Sequence, residues 1–268
     1  MTKPYDVVIA GGGPAGLSAA LVLGRARKRV LLCDAGTPRN AKAEHMNGFV
    51  SRDGIPPTEV RAVSREQLRQ YDSVELRAAA VLGARGDVGA FTVALEHDEV
   101  TARRVIVTGG MIDELPDDIP GYRELWGRGV VQCPYCHAWE HRDRPVGMLV
   151  ASAVWLEFAL MVRGWSRDVV LYTGGAFEVP ADVRARLTTG GVRIEERPIA
   201  ALHGEQGTLR AVELADGTRV PCELLFARPP QHQRRLALVL ALGLALDEQG
   251  FVQVDEQQRS SVPGIYAA

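Results

Sequence analysis

The amino-acid sequence predicts an α/β protein with two Rossmann-like βαβ domains, and three observations lead to this fold class. The apolar run at residues 5–10 is followed by a glycine-rich turn and a helical stretch at residues 17–25. A second strand–helix–strand pattern spans residues 146–172. Two cysteines, Cys133 and Cys136, stand between these two units. Strands that alternate with helices favour parallel sheets covered by helices.

The turn after the first strand has the G-x-G-x-x-G spacing of a dinucleotide-binding site. Its first glycine permits a tight turn, its second lets the backbone approach a pyrophosphate, and its third lets helix and strand pack closely. Asp34, at the end of the next strand, is placed to accept hydrogen bonds from a ribose. A glycine-rich turn without function is the alternative. The residues that we assign to the cofactor in this turn are Gly11, Gly13, Pro14, Ala15 and Gly16.

Two further loops are predicted to contact the cofactor. Residues 37–61 show no helical or strand period, and loops beside a dinucleotide site often contact the reactive ring. Asn40 and Asn47 are the candidates there, with an ordinary surface connection as the alternative. The strand at residues 104–108 ends in Thr108 and Gly109, which would bring backbone against the cofactor.

The sequence Cys133-Pro134-Tyr135-Cys136-His137 indicates a redox-active disulfide. Two cysteines separated by two residues can close a disulfide across the first turn of a helix, where the helix dipole lowers a thiol pKa. Three alternatives compete. Attachment of c-type haem belongs to exported proteins, and a zinc site would need His137 and His141 to converge with both cysteines. The third is a structurally inert pair, and we predict no bound metal.

The second βαβ unit lacks the glycines of a nucleotide turn. Val150, Ser152 and Trp155 stand at the three glycine positions. Valine and serine block the approach of backbone to a pyrophosphate, and tryptophan prevents close contact of helix and strand. The following strand ends at residues 173–175 with neither an acid nor an arginine for a ribose or its phosphate. The second nucleotide site is therefore predicted to be inactive.

Composition indicates a cytoplasmic protein without nucleic-acid or membrane partners. The chain has 268 residues, of which 46% are hydrophobic, and a formal net charge of −2, so electrostatic attraction to nucleic acid is not expected. The apolar run at residues 236–246 is too short to span a bilayer. The four cysteines fit a reducing compartment better than a disulfide scaffold.

These motifs follow one another in the order found in low-molecular-weight thioredoxin reductases, which the chain resembles over nearly its whole length. The Cys-Pro-Tyr-Cys-His sequence is similar to that of a branch of this family, the dithiol oxidases that close disulfides in natural products such as gliotoxin and holomycin. The resemblance implies FAD as the cofactor and a homodimer. The residues that carry the resemblance are Gly11 to Gly16, Thr108-Gly109, Cys133, Cys136 and residues 262–268.

The resemblance also implies a split FAD domain with an inserted, degenerate nicotinamide-type domain. It places the FAD domain at residues 1–116 and, as an incomplete return, at residues 247–268. The inserted redox domain then covers residues 117–246.

By this resemblance Cys136 lies against the flavin, Cys133 exchanges with substrate, and His137 stands where the reductases have a proton-transferring acid. The sequence favours oxidation of a small-molecule dithiol, with electrons passing through the flavin to O₂ or another small acceptor. Reduction of a thioredoxin-like protein by NAD(P)H or ferredoxin is the second hypothesis. A non-catalytic flavoprotein that binds a partner is the third.

Overall fold

The computed structural model describes residues 3–234 and 236–268, which form two compact units. Unit 1 holds Met1–Ala41, Thr58–Asp113 and Gln231–Ala268, and unit 2 holds Lys42–Pro57 and Glu114–Pro230. The sequence predicts domain boundaries after residues 116 and 246, whereas the chain passes from one unit to the other after Ala41, Pro57, Asp113 and Pro230.

Unit 1 begins as a Rossmann-like fold. Its first strand is buried at five of six positions, and Pro14 opens the following helix, where a proline costs no hydrogen bond. The elements of this part are β1 (Tyr5–Ala10), α1 (Pro14–Arg25), β2 (Val30–Cys33), α2 (Pro57–Leu68), β3 (Val74–Arg77), β4 (Val81–Arg85), β5 (Phe91–Leu95), β6 (Glu99–Val107) and β7 (Met111–Asp113).

Unit 2 contains a parallel sheet and a separate antiparallel one. Its elements are α3 (Tyr122–Leu125), β8 (Val130–Val131), α4 (Pro134–His137), β9 (Val146–Leu149), α5 (Phe158–Val162), β10 (Val169–Tyr172), α6 (Ala181–Thr189), β11 (Val192–Glu195), β12 (Ile199–Glu205), β13 (Thr208–Leu214), β14 (Arg219–Pro221) and β15 (Leu224–Ala227). The parallel sheet has the strand order β11-β10-β9-β15-β8, and β12-β13-β14 form the antiparallel sheet.

Unit 1 is completed by β16 (Gln231–Gln233), α7 (Leu236–Ala241) and β17 (Ile265–Ala267). Its main sheet has the order β3-β2-β1-β6-β5-β4, and β17 pairs with the second half of β6. The stretch from residue 231 to 246, which the sequence placed in the inserted domain, lies in unit 1. The reason is apolar packing, because Leu238 and Val239 are buried with Val81 in the core of that sheet.

The predicted α/β class with two Rossmann-like units is thus confirmed. In each unit the first strand of the βαβ pattern has parallel neighbours on both sides: β2 and β6 flank β1, and β10 and β15 flank β9. Ligands of such sheets bind at the carboxyl end of this strand, where the strand order reverses. Within the described ranges, no helix has the length and apolar character needed to cross a membrane.

Candidate active site

The first turn of unit 1 needs glycine at two positions for steric reasons. Gly11 has a φ of +132°, and a Cβ at this residue would lie 2.2 Å from the carbonyl oxygen of Thr108. A Cβ on Gly16 would lie 1.9 Å from the carbonyl oxygen of Gly11. Both distances are far below van der Waals contact, so any side chain here would disrupt the turn itself.

Gly13 is a glycine for another reason, because its surroundings are open. A Cβ on Gly13 would meet no atom of the described residues within 4 Å. Gly13 is the N-cap of α1, and no side chain among the described residues caps that end. The first N–H groups of α1 therefore remain available to an anion, beside the exposed Pro14 and Ala15. This cradle fits a diphosphate, whose charge a helix N-terminus favours.

Thr108 fixes the glycine turn from the neighbouring strand β6. Its backbone N–H donates to the carbonyl oxygen of Ala10 at 3.0 Å, and its hydroxyl donates to the carbonyl oxygen of Gly11 at 2.9 Å. Gly109 follows and is half-buried. Thr108 thus has a structural role that its sequence assignment did not include, and cofactor contacts of Thr108 and Gly109 stay predictions.

Asp34 lies directly beside the glycine turn and is held by two arginines that the sequence reading missed. A Cβ on Gly12 would lie 2.4 Å from Cγ of Asp34. Asp34 Oδ2 accepts hydrogen bonds from Arg65 and, at 2.7 Å, from Arg61, while Oδ1 accepts the Gly36 N–H at 2.9 Å. Burial opposes ionisation of Asp34, but these donors outweigh it and lower its pKa.

The spacing of the two arginines is the one feature of the sequence that relates them to each other. Arg61 and Arg65 are four residues apart on α2, so they share one helix face. Such pairs usually lie on solvent-exposed faces, so the spacing alone does not indicate a functional residue. Here the side chain of Arg61 is only 17% exposed.

The two predicted asparagines have different environments. Asn40 is exposed. Asn47 donates its Nδ2–H to the carbonyl oxygen of Cys136 at 2.9 Å, so this side chain contacts the cysteine turn within unit 2. That contact was not anticipated, and flavin contacts of both asparagines stay predictions.

The cysteine pair forms a disulfide at the start of the short helix α4. Cys133 is the N-cap of α4, the Cα atoms of Cys133 and Cys136 are 5.3 Å apart, and the backbone N–H of Cys136 donates to the carbonyl oxygen of Cys133 at 3.2 Å. Pro134 occupies the first position of the helix.

His137 faces a polar cavity of about 210 Å³ in unit 2. The Nδ1 atom of His137 is enclosed, and within the described part of the chain it has no hydrogen-bond partner. Glu44 and Arg128 form an ion pair of 3.1 Å on the cavity wall. The other titratable side chains of the wall are His45, Glu140, His141 and Glu223.

Both His137 and His141 are held in their neutral form. Burial lowers the pKa of His137, and the Cys133 carbonyl and the Glu140 carboxylate only partly offset it. Burial also lowers the pKa of His141, against the opposing effect of Glu223. A neutral imidazole is able to accept a proton.

The second nucleotide turn is occupied by side chains. Val150 is buried, and the Ser152 hydroxyl caps a separate 3₁₀ turn at Ala153–Trp155, so the α-helix of this βαβ unit, α5, begins only at Phe158. The Arg228 guanidinium lies 4.3 Å from the ring centroid of Trp155. Arg228 directly follows β15, so this stack lies at the point where the strand order reverses. In the sequence, Arg228 can be recognised as a basic residue directly after a buried strand.

Comparison with known proteins agrees with this geometry. Residues 5–268 match the family model described as pyridine nucleotide-disulphide oxidoreductase. The chain is 31% identical to thioredoxin reductase tcpT of Claviceps purpurea, covering 98% of this chain and 85% of the relative. An oxidoreductase from Agrobacterium tumefaciens superposes with a TM-score of 0.91 at 37% identity, over 99% of this chain and 89% of that one.

A second solved structure is also similar to this chain. The crystal structure of HlmI superposes with a TM-score of 0.89 at 41% identity, over 98% of this chain and 83% of HlmI. The expected resemblance to thioredoxin reductases and the expected FAD dependence are therefore confirmed. The chain belongs to the pyridine nucleotide-disulphide oxidoreductase family and is an FAD-dependent, thioredoxin-reductase-like disulfide oxidoreductase.

Proposed function

We propose that this enzyme oxidises a dithiol to a disulfide through Cys133 and Cys136. The observation that carries the proposal lies in unit 2, where a disulfide at a helix start is combined with a nucleotide turn filled by side chains. A reductase driven by NAD(P)H needs that turn to bind the nucleotide. Electrons therefore enter from a thiol substrate.

The thiol chemistry needs two exchange steps. A substrate thiolate attacks the sulfur of Cys133, so that the Cys133–Cys136 bond breaks, a mixed disulfide forms and Cys136 leaves as a thiolate. The second substrate thiolate then attacks the substrate sulfur of the mixed disulfide and releases the oxidised product and the Cys133 thiolate. The assignment of Cys133 as the exchanging sulfur follows the family resemblance, because both cysteines are half-buried.

The protons of the two thiols need a base, and His137 is placed to serve. It directly follows Cys136, and its neutral form accepts a proton. The Glu140 carboxylate favours the protonated imidazole of His137, and His141 opposes it. FAD, held at the glycine turn of unit 1, would supply the acceptor for the two electrons of the reduced pair, with O₂ or another small oxidant as the final acceptor.

We assign cofactor binding to unit 1 on the fit of its residues. The open space at Gly13 and the first N–H groups of α1 suit the diphosphate, and Asp34 suits the adenosine ribose. The sequence-predicted set Gly11, Gly13, Pro14, Ala15 and Gly16 thus divides into residues that shape the turn and residues that face the ligand.

Several large apolar side chains are exposed in the cysteine segment, which suits an apolar dithiol. Tyr135 is 70% exposed and Trp139 is 63% exposed, and both belong to the redox segment. Phe49 and Val50 are also exposed, close in sequence to Asn47, which contacts Cys136. Exposed apolar residues of this size near a reactive site indicate a binding surface.

A second candidate is reduction of a thioredoxin-like protein. The specific observation in its favour is the similarity to tcpT, which carries the name thioredoxin reductase. The same apolar surface would suit a protein partner. This alternative requires an electron donor that reduces the flavin.

The test is anaerobic rapid mixing of the holoenzyme with either dithiothreitol or NADPH, followed by the flavin absorbance. We expect the dithiol to bleach the flavin and NADPH to do so poorly. Loss of two charge-assisted hydrogen bonds to the nucleotide weakens binding by about two to four orders of magnitude. Rapid bleaching by micromolar NADPH would instead establish the reductase, and no bleaching by either would favour a non-catalytic flavoprotein.

We further infer that the enzyme acts as a homodimer in the cytoplasm. The family resemblance supports the dimer. The thiol of Cys222 is buried and donates to the carbonyl oxygen of Leu224, which fits a reducing compartment. Light scattering coupled to gel filtration measures the dimer directly, and a monomeric mass would contradict it.

A further inference from the structure

We propose that His141 receives the proton that His137 takes from a substrate thiol and passes it to solvent through the polar cavity of unit 2. The inference rests on the proposed function, in which His137 is the base of the two thiol steps. His141 acts through His137, so it is assigned no contact with the reacting sulfurs.

The proposed thiol chemistry releases two protons in each turnover, and one imidazole can take up only one of them. Each substrate thiol loses its S–H proton before its sulfur attacks, whereas Cys136 and then Cys133 leave as thiolates and take up no proton. The two electrons of the dithiol reduce the Cys133–Cys136 bond, so both protons remain to be removed. His137 must therefore lose the first proton before the second thiol is deprotonated.

The two imidazoles line one cavity and are a single turn of the chain apart. Beyond α4 the chain stays in tight turns: the Ala138 N–H donates to the Pro134 carbonyl oxygen at 2.7 Å, and the His141 N–H donates to the Ala138 carbonyl oxygen at 3.2 Å. The cavity of about 210 Å³ has room for several water molecules. Glu140 on its wall is exposed, so the cavity provides a route from His137 to solvent.

The charges around the two rings favour one shared proton. A charge on His141 disfavours a charge on His137, so the rings are close enough to interact. The Glu140 carboxylate favours the protonated form of both rings. Glu223 also favours protonated His141, with a larger effect than the opposing Arg144, whose guanidinium is 3.8 Å from the Glu223 carboxylate. The Glu223 carboxylate thus stabilises the proton once it has reached His141.

The other charged or titratable side chains of the cavity wall have partners of their own. Glu44 and Arg128 form the ion pair of 3.1 Å described above. Nδ1 of His45 is 3.0 Å from the carbonyl oxygen of Gly54, and His45 is exposed. His45 is therefore an imidazole of the same cavity that is bound to backbone, and it provides a matched control for His141.

The experiment measures how fast dithiothreitol reduces the Cys133–Cys136 disulfide of the holoenzyme without oxygen. Samples are quenched in acid, the freed thiols are alkylated and counted by mass spectrometry, and the flavin absorbance is recorded in parallel. The variants are His141→Gln and Glu223→Gln, with His45→Gln as the control, each in dilute buffer and with added imidazole. Alkylation follows the disulfide itself, so the proton relay is measured even if the flavin is not bleached and the proposed function is wrong.

We expect His141→Gln to slow reduction of the disulfide about tenfold or more in dilute buffer, since groups that transfer protons directly contribute about 10²–10⁴-fold. Added imidazole should restore the rate, because a small base replaces the missing ring, and His45→Gln should react like the wild type. An unchanged rate in His141→Gln would overturn the proposal. A loss that imidazole does not restore, or an equal loss in His45→Gln, would overturn it as well.

Glu223→Gln keeps the imidazole of His141 and removes a carboxylate that favours its protonated form. The pKa of His141 should then fall, so the low-pH limb of the profile of rate against pH should move to lower pH. If His141→Gln does not fold, this variant decides alone, and a profile identical to that of the wild type would overturn the proposal.

Discussion

The two βαβ turns of this enzyme occupy the same position in their sheets and differ in the side chains that line them. In unit 1 the turn after β1 has backbone-lined space at Gly13. In unit 2 the turn after β9 contains the buried Val150 and the stack of Trp155 with Arg228. The topology is shared, so the difference lies in a few side chains. A Rossmann-like sheet therefore does not by itself establish that a nucleotide binds.

The parallel sheet of unit 2 also determines where the disulfide lies. The redox turn follows β8, which pairs in parallel with β15, the strand that ends at Arg228. The carboxyl ends of parallel strands lie at one edge of a sheet, so the disulfide and the closed crevice share this edge. In unit 2, the disulfide and the turn that contains Val150 thus follow strands of the same sheet, with β15 between them.

Gly13→Val tests the comparison with the largest expected effect. The valine side chain would fill the open space and remove access to the first N–H groups of α1, so bound flavin should be lost. Loss of two such contacts weakens FAD by at least about a hundredfold. The measurement is the ratio of flavin to protein absorbance after purification. Ser152→Val in the second turn is the matched control and should keep its flavin; loss in both variants would mean that the two turns do not differ.

Replacement of either cysteine should remove catalysis and leave the flavin in place. Cys133→Ser and Cys136→Ser lack the sulfur that exchanges, so oxidation of dithiothreitol should fall by about three orders of magnitude or more. Cys222→Ser is the control, because burial raises the pKa of the Cys222 thiol to about 12 and keeps it unreactive. Flavin content and oxygen consumption are the measurements. Substantial turnover in both single variants would remove the pair from the mechanism.

Much of the fold was predictable from the sequence, and the residues that were missed explain why the rest was not. The glycine spacing and the apolar strands depend on local geometry, so Gly11, Gly13 and Gly16 were identifiable. Arg61 acquires its meaning only when α2 folds against the end of β2 and contacts Asp34. Such contacts between residues far apart in sequence leave no local pattern.

Two other features of the structure also depend on contacts between residues far apart in sequence. The sequence predicts a flavin contact for Asn47, which stays a prediction, but it does not predict the hydrogen bond from the Asn47 amide to the carbonyl of Cys136. The run at residues 236–246 was placed in the inserted domain, although α7 packs on the sheet of unit 1. Apolar runs indicate burial, but they do not indicate which core they join.

The stability of the enzyme should depend on pH through the two buried histidines of unit 2. Burial lowers the pKa of His137 and of His141 in the folded chain. As the pH falls below the ordinary histidine pKa of about 6.5, the unfolded chain takes up protons first, and this favours unfolding. The contribution of the two neutral histidines to the free energy of unfolding is therefore complete above that pH. It is lost as the pH falls through their lowered pKa values in the folded chain. Urea unfolding at several pH values measures it.

His137→Gln and His141→Gln should each flatten this pH dependence. His97→Gln is the control, because His97 is exposed in a turn. An unchanged slope in both variants of unit 2 would show that neither histidine is buried in a neutral form.

Asn47→Ala has the smallest expected effect, and it decides whether Asn47 stabilises the cysteine turn or binds the cofactor. Its Nδ2–H donates to the carbonyl oxygen of Cys136 at 2.9 Å, so Asn47→Ala removes one hydrogen bond from the redox turn. We expect the free energy of unfolding to fall by about 1 kcal/mol. If the side chain serves only the redox turn, FAD affinity stays unchanged, as it should in the exposed control Asn40→Ala. If Asn47→Ala instead weakens FAD with little loss of stability, the residue belongs to the cofactor site, as the sequence predicted, and the separation of roles between the two units is incomplete.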